Sequence, residues 1–123
     1  MIQPSCPVLV VHTDDGFRKA LIVALDQEHF AVTVASDSDQ ALELLATRTF
    51  NVVIIGLNLT TGLGTRSLAY LETKRDPAKC GVLVLGDSDP EIKKYAPWVD
   101  ETLLKPVDAA YVAKRARTYC NCS

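Results

Sequence analysis

Long hydrophobic runs are missing from this chain. Its purely apolar stretches, such as Val8 to Val11 and Val52 to Ile55, fall far short of the roughly 20 residues that cross a bilayer, so a membrane-spanning helix is excluded. A surplus of cations is missing as well. Thirteen Lys plus Arg stand against 15 Asp plus Glu, a net charge of −2, which supplies no electrostatic footprint for wrapping nucleic acid or lying on an anionic membrane. The opening residues carry no basic segment, the first cation being Arg18, and no apolar signal core follows. A cytoplasmic protein is the expectation. The four cysteines, Cys6, Cys80, Cys120 and Cys122, are too few for a stapled mini-protein and lack the C-x-x-C pairs of a zinc ribbon. Reduced thiols, no metal and no other cofactor are expected. Internal repeats and low-complexity tracts are absent, and the six Gly and six Pro are scattered as punctuation.

What is present is ordinary globular composition, 48% hydrophobic and 23% charged over 123 residues, enough for one domain spanning 1–123 around a single core. Short β-branched runs alternate with amphipathic stretches, the mark of βα units that close a parallel sheet. Five units can be counted. Val8 to Val11 and Val52 to Ile55 are continuous apolar runs, as strands buried on both faces require, and are therefore central. Ala31 to Ala35 alternates around Thr33, which suits an edge. Val82 to Leu85 and about Thr102 to Leu104 complete the sheet.

The helices follow from spacing and caps. Asp14 or Asp15 caps a helix whose Phe17, Ala20, Leu21, Ala24 and Leu25 form a core stripe, ending near His29. Ser36 and Asp39 form a weak capping box for a helix burying Ala41, Leu42, Leu44 and Leu45. A helix through Leu68 and Leu71 is stopped by Asp76-Pro77. Asp89-Pro90 reads as a cap followed by proline at the first helical position, opening a short helix that stops by Pro97. Asp108 caps a last helix running to about Tyr119.

In an open α/β sheet the crevice lies at the carboxyl ends of the strands. That places His12, Thr13 and Asp14 after the first strand, Gly56 after the third, Gly86 and Asp87 after the fourth, and Lys105 after the fifth. The order and spacing resemble the receiver domain of bacterial two-component response regulators over nearly the whole chain. Leu103-Leu104-Lys105-Pro106 looks like that family's strand-five lysine and proline. Val10 and Val11 with Arg18 fit its first βα unit, and Leu57-Asn58-Leu59 with Gly62 and Gly64 fits its loop after strand three. The resemblance implies a doubly wound, flavodoxin-like (βα)5 fold with strand order 2-1-3-4-5 and a role in two-component signalling or a phosphorelay.

The chemistry the resemblance would carry is missing at the matching positions. Receivers hold Mg²⁺ with an acidic pair after strand one and accept a phosphoryl group on an aspartate ending strand three. Here those positions read His12, Thr13 and Gly56. Gly86 stands for the strand-four hydroxyl and Thr102 for the strand-five aromatic, and only Lys105 remains. Glycine has no nucleophile and Mg²⁺ wants carboxylate oxygens, so the expectation is a degenerate receiver that cannot form an aspartyl phosphate. It would be no enzyme, but an interaction module, or such a domain within a larger regulator or sensor kinase.

By the same resemblance, the fourth helix, fifth strand and fifth helix form a face for a protein partner or homodimer. Lys93, Lys94, Tyr95, Trp98, Thr102, Tyr111 and Lys114 are its candidates. A flavin-binding enzyme on the same sheet is disfavoured, because Asp14 and Asp15 would sit beside the flavin phosphate. Left without an acceptor carboxylate, Lys105 should have found Asp87 or Asp14. His12 is expected to be a hydrogen-bonded loop residue, Asp14 an N-cap, and Lys114-Arg115-x-Arg117 a solvated helix face.

Overall fold

A computed structural model describes residues 6–57, 64–76 and 79–120, without the side chain of Asp89. Five strands, β1 (Cys6–Val11), β2 (Phe30–Ala35), β3 (Val52–Gly56), β4 (Gly81–Gly86) and β5 (Glu101–Leu104), alternate with five helices. The helices are α1 (Asp15–Gln27), α2 (Ser38–Thr47), α3 (Thr65–Lys74), α4 (Asp89–Lys93) and α5 (Ala109–Thr118). All strand pairs are parallel and the order is β2-β1-β3-β4-β5, the doubly wound, flavodoxin-like fold expected from the sequence. No helix among the described residues is long and apolar enough to cross a membrane.

Alternation of side chains splits each central strand between two cores. Val8, Val10, Ile54, Leu83 and Leu85 pack under α1 and α5 with Leu21, Leu25 and Val112. Leu9, Val11, Val53, Ile55, Val82 and Val84 pack under α2, α3 and α4 with Ala41, Leu68, Leu71 and Ile92. The apolar runs of β1, β3 and β4 are the hydrophobic wall between the layers, each fully buried side chain contributing about 1.5–3 kcal/mol.

Several local expectations need correction. Ala20 is exposed, because the α1 stripe narrows to Phe17, Leu21, Ala24 and Leu25 once α5 covers that side. Leu42, Leu44 and Leu45 are half-buried; on α2 only Ala41 is fully covered. The cap of α2 is Asp37, which accepts from Gln40 N at 2.7 Å, while Gln40 Oε1 accepts from Ser36 N at 3.1 Å; the box is shifted by one residue from Ser36/Asp39. Likewise Ser88, not Asp89, is the N-cap of α4, with proline in the first turn. Asp14 and Asp108 cap α1 and α5 as expected, accepting from Phe17 N and Tyr111 N. His29, at φ 67°, ends α1 in the left-handed geometry that usually takes glycine.

The expectation of free thiols fails at two of the cysteines. Cys6 and Cys120 are joined in a disulfide across 114 residues, with Cα atoms 6.3 Å apart. The cause is topological: β1 starts at the amino end of the sheet, and α5 runs antiparallel to the strands and returns its end to the same place. Cys80 is free, and burial pushes its thiol up to about 11. Cys122 lies outside the described residues.

Candidate functional site at the carboxyl ends of the strands

The loops leaving β1, β4 and β5 enclose an open cavity of about 520 Å³, lined by His12, Thr13, Asp14, Phe17, Leu85, Asp87, Lys105, Pro106 and Val107. Every crevice residue singled out from the sequence lines it except the two glycines, Gly56 and Gly86. Those two explain its shape.

His12 continues β1 and is buried. A Cβ on Gly56 would lie 2.2 Å from His12 Cδ2 and 2.8 Å from Nε2. The imidazole thus lies across the space that a side chain at the end of β3 would occupy. Asp14 N donates to His12 Nδ1 at 3.0 Å, so the proton of the neutral ring is on Nε2. Burial first, then the charge of Lys105, lowers the His12 pKa from its usual value, with Arg18 adding to the effect and Asp14 and Asp87 opposing it. The result is a neutral, hydrogen-bonded side chain with no free lone pair for nucleophilic attack.

A matching event fills the end of β4. A Cβ on Gly86 would meet Ile92 Cγ2 at 2.2 Å and Glu91 Oε1 at 3.5 Å. The first turns of α4 therefore press directly on the strand backbone. Ile92 is buried in the α2–α3–α4 core, and Glu91 is buried with it, neither carboxylate oxygen having a hydrogen-bond partner among the described residues. Neither residue was singled out from the sequence, although an apolar residue in the first turn of the helix that follows a strand-ending glycine is a usable signal.

Lys105 directly follows β5 and is joined to Pro106 by a cis bond. Its Nζ donates to Leu57 O at 3.0 Å and stands 3.8 Å from Asp87 Oδ1. Of the two carboxylates considered for it, Asp87 is the one nearby, held at ion-pair rather than hydrogen-bond distance, while Asp14 Oδ1 caps α1. Asp15 contacts Arg18, whose Nη1 also donates to His12 O at 2.9 Å.

A divalent cation does not fit this donor set. Asp14, Asp15 and Asp87 are each committed to a cap or a cation, and no group of three His, Cys, Asp or Glu side chains able to hold a metal occurs among the described residues. Mg²⁺ needs several oxygen ligands converging at one point.

The candidate interaction residues are dispersed. Lys93, Lys94, Lys114 and Tyr111 are exposed, and Thr102 is half-buried on β5. Tyr95 and Trp98 instead pack against the α2–α3–α4 core, and the Arg75 guanidinium lies over the Trp98 ring at 5.7 Å. Leu104, 47% exposed beside Tyr111 at 50%, was missed because an edge-strand leucine reads as core. Arg115 does not belong to a purely solvated face: it makes a bidentate pair with Glu101 at 2.7 Å.

A model of the response regulator receiver domain matches residues 8–117. The chain belongs to the response regulator receiver family. A curated relative, the regulatory protein VirG of Agrobacterium fabrum, is 34% identical over 74 residues. That match covers 60% of this chain and 29% of VirG, so this receiver spans less than a third of the relative it resembles. Solved structures share the fold. The receiver domain of Francisella response regulator 1452 superposes with a TM-score of 0.80 at 22% identity, covering 94% of this chain and 96% of that one. The chemotaxis response regulator CheY4 of Vibrio cholerae gives 0.78 at 21% identity, covering 94% and 98%. HP1043, an orphan response regulator of H. pylori, gives 0.79 at 15% identity, covering 98% and 100%. Receivers of this fold act as signalling modules that meet protein partners.

Proposed function

We propose that this receiver is an interaction module that signals by protein contact alone and accepts no aspartyl phosphate. The observation that carries the reading is the His12 ring lying where a side chain on Gly56 would project. Position 56 has no carboxylate to attack phosphorus, and the space in which one would act is filled by a neutral imidazole whose Nε2 carries a proton. Lys105, which would balance phosphoryl charge, is instead shared between a carbonyl and Asp87. The docking surface in this reading is the face of α4, β5 and α5, where Leu104 and Tyr111 are exposed among Lys93, Lys94 and Lys114. Exposed apolar anchors on elements that also carry exposed cations suit an acidic protein partner.

The test is incubation with acetyl phosphate and Mg²⁺, and separately with beryllofluoride and Mg²⁺, followed by intact mass and amide NMR spectra. Unchanged mass and unshifted crevice resonances are expected. A saturable gain of one phosphoryl group on any crevice aspartate would overturn the reading. A second reading, that the module regulates a longer chain, draws on VirG, of which the matched part is 29%. Deleting whatever follows Ser123 in the native gene product and assaying its output distinguishes the two.

A further inference from the structure

The two edges of the sheet are guarded unequally. β5 has four residues, one of them Glu101, held by Arg115. β2 has six, Phe-Ala-Val-Thr-Val-Ala, with no charge and no proline, and its outer side faces no other strand among the described residues. An edge of that length without Lys, Pro or a bulge is a template for pairing with another chain. Beside it runs a groove of about 410 Å³ between α1 and β2, lined by Ile22, Val23, Asp26, Phe30 and Val32. Val23 is 58% exposed, the most exposed large hydrophobic among the described residues. Lys19, Ile22, Val23 and Asp26 follow one another at helical spacing along this side of α1. Among the described residues neither Lys19 nor Asp26 has an ion-pair partner.

We propose that β2 pairs antiparallel with β2 of a second copy of this chain about a two-fold axis through Val32. Pleat parity limits the registers to those in which one residue faces itself, and the groove that Val32 shares with Ile22 and Val23 selects Val32. A two-fold normal to the sheet keeps both copies' α1 on the same face, so only residues pointing to the same side can stand opposite each other. Val32 then faces Val32 of the second copy, Phe30 faces Val34, and Ala31 faces Thr33. The same axis runs beside the midpoint of Ile22 and Val23, which line the groove with Val32. Lys19 and Asp26 lie equally far either side of that midpoint, so each Lys19 meets Asp26 of the second copy. Charge complementarity thus agrees with the register that the strand and the groove select. Neighbouring strands lie about 4.8 Å apart, which brings helices seated over the two edge strands to ordinary packing distance. The interface is isologous, as a closed dimer requires, and it leaves the α4–β5–α5 face free on the opposite edge.

Sedimentation equilibrium of the 123-residue chain over a concentration series should show a reversible dimer. Lys19→Glu and Asp26→Lys, both at exposed positions, should each weaken it about tenfold or more, since attraction becomes repulsion at two symmetric sites. The double swap Lys19→Glu/Asp26→Lys should recover the wild-type constant to within about threefold. Thermal melts identify any variant that fails to fold, and Tyr111→Glu should leave the dimer unchanged. A monomer at every concentration overturns the proposal. So does a dimer indifferent to the single swaps, one that the double swap does not recover, or one lost on Tyr111→Glu, which would place the second copy on the opposite edge.

Discussion

The amino and carboxyl ends of the five strands hold similar charged side chains and treat them in opposite ways. At the amino end Arg75, its side chain 7% exposed, donates to Asp100 Oδ2 at 2.6 Å, to Trp98 O at 2.6 Å and to Cys80 O at 3.2 Å. Asp100 in turn accepts from Val82 N at 2.8 Å, and Tyr119 packs on Gly81 and donates to Asp100 O. The disulfide closes the same end. At the carboxyl end Glu91 is buried without a hydrogen-bond partner among the described residues, and Lys105 stands 3.8 Å from Asp87 Oδ1. There side chains filling glycine vacancies set the shape, and the polar contacts around His12 and Lys105 are local.

The largest test of this contrast is the disulfide. Reducing it, or replacing Cys6 by Ser, should cost about 4 kcal/mol in urea unfolding, the expectation for a cross-link closing a loop of roughly 100 residues. Arg75→Ala should cost about 3 kcal/mol by the same measurement, because Asp100 and two carbonyls lose their donor together. At the carboxyl end Gly56→Ala should cost about 1–3 kcal/mol by overpacking against the ring, and His12→Ala in the same chain should relieve most of that penalty. Additive costs would mean that the ring moves aside freely.

The pH dependence carries a defined sign. His12 has a lowered native pKa, so the unfolded chain takes up the proton first. The stability due to the neutral ring is complete above about pH 6.5 and declines as pH falls from there toward the lower native value. Unfolding curves of the wild type and His12→Gln, compared between about pH 6.5 and 5, should differ in slope in that direction. The smallest effect is expected for a Lys105→Met/Asp87→Asn cycle, with coupling below about 0.5 kcal/mol, because Asp87 is 62% exposed.

The central strands and the crevice positions were legible because continuous apolar runs and helix caps are local signals, while the strand order came from the family resemblance. Val8–Val11 and Val52–Ile55 read as central, and they are. What escaped the sequence is what depends on distance in space. Element order puts Cys6 and Cys120 at the same end of the sheet, but that they are bonded across 114 residues needed coordinates. Arg75 and Asp100 were not singled out, and they pair only where α3 and the segment before β5 are brought together. His12 and Gly56 were each recognised as departures from the family pattern. That one fills the space left by the other needed coordinates. The shifted caps at Asp37 and Ser88 are one-residue errors between adjacent acceptors of equal propensity.

The ring lying over Gly56 also orders the steps by which this chain could change. A single mutation at position 56 that adds any side chain meets an occupied space, 2.2 Å from His12 Cδ2, and is opposed before it can be useful. Position 12 must vacate first, and with glycine still at 56 that change opens a hole with no compensating gain. Two individually unfavourable steps stand between this crevice and one with a side chain at the end of β3, so the packing acts as a ratchet on the lineage.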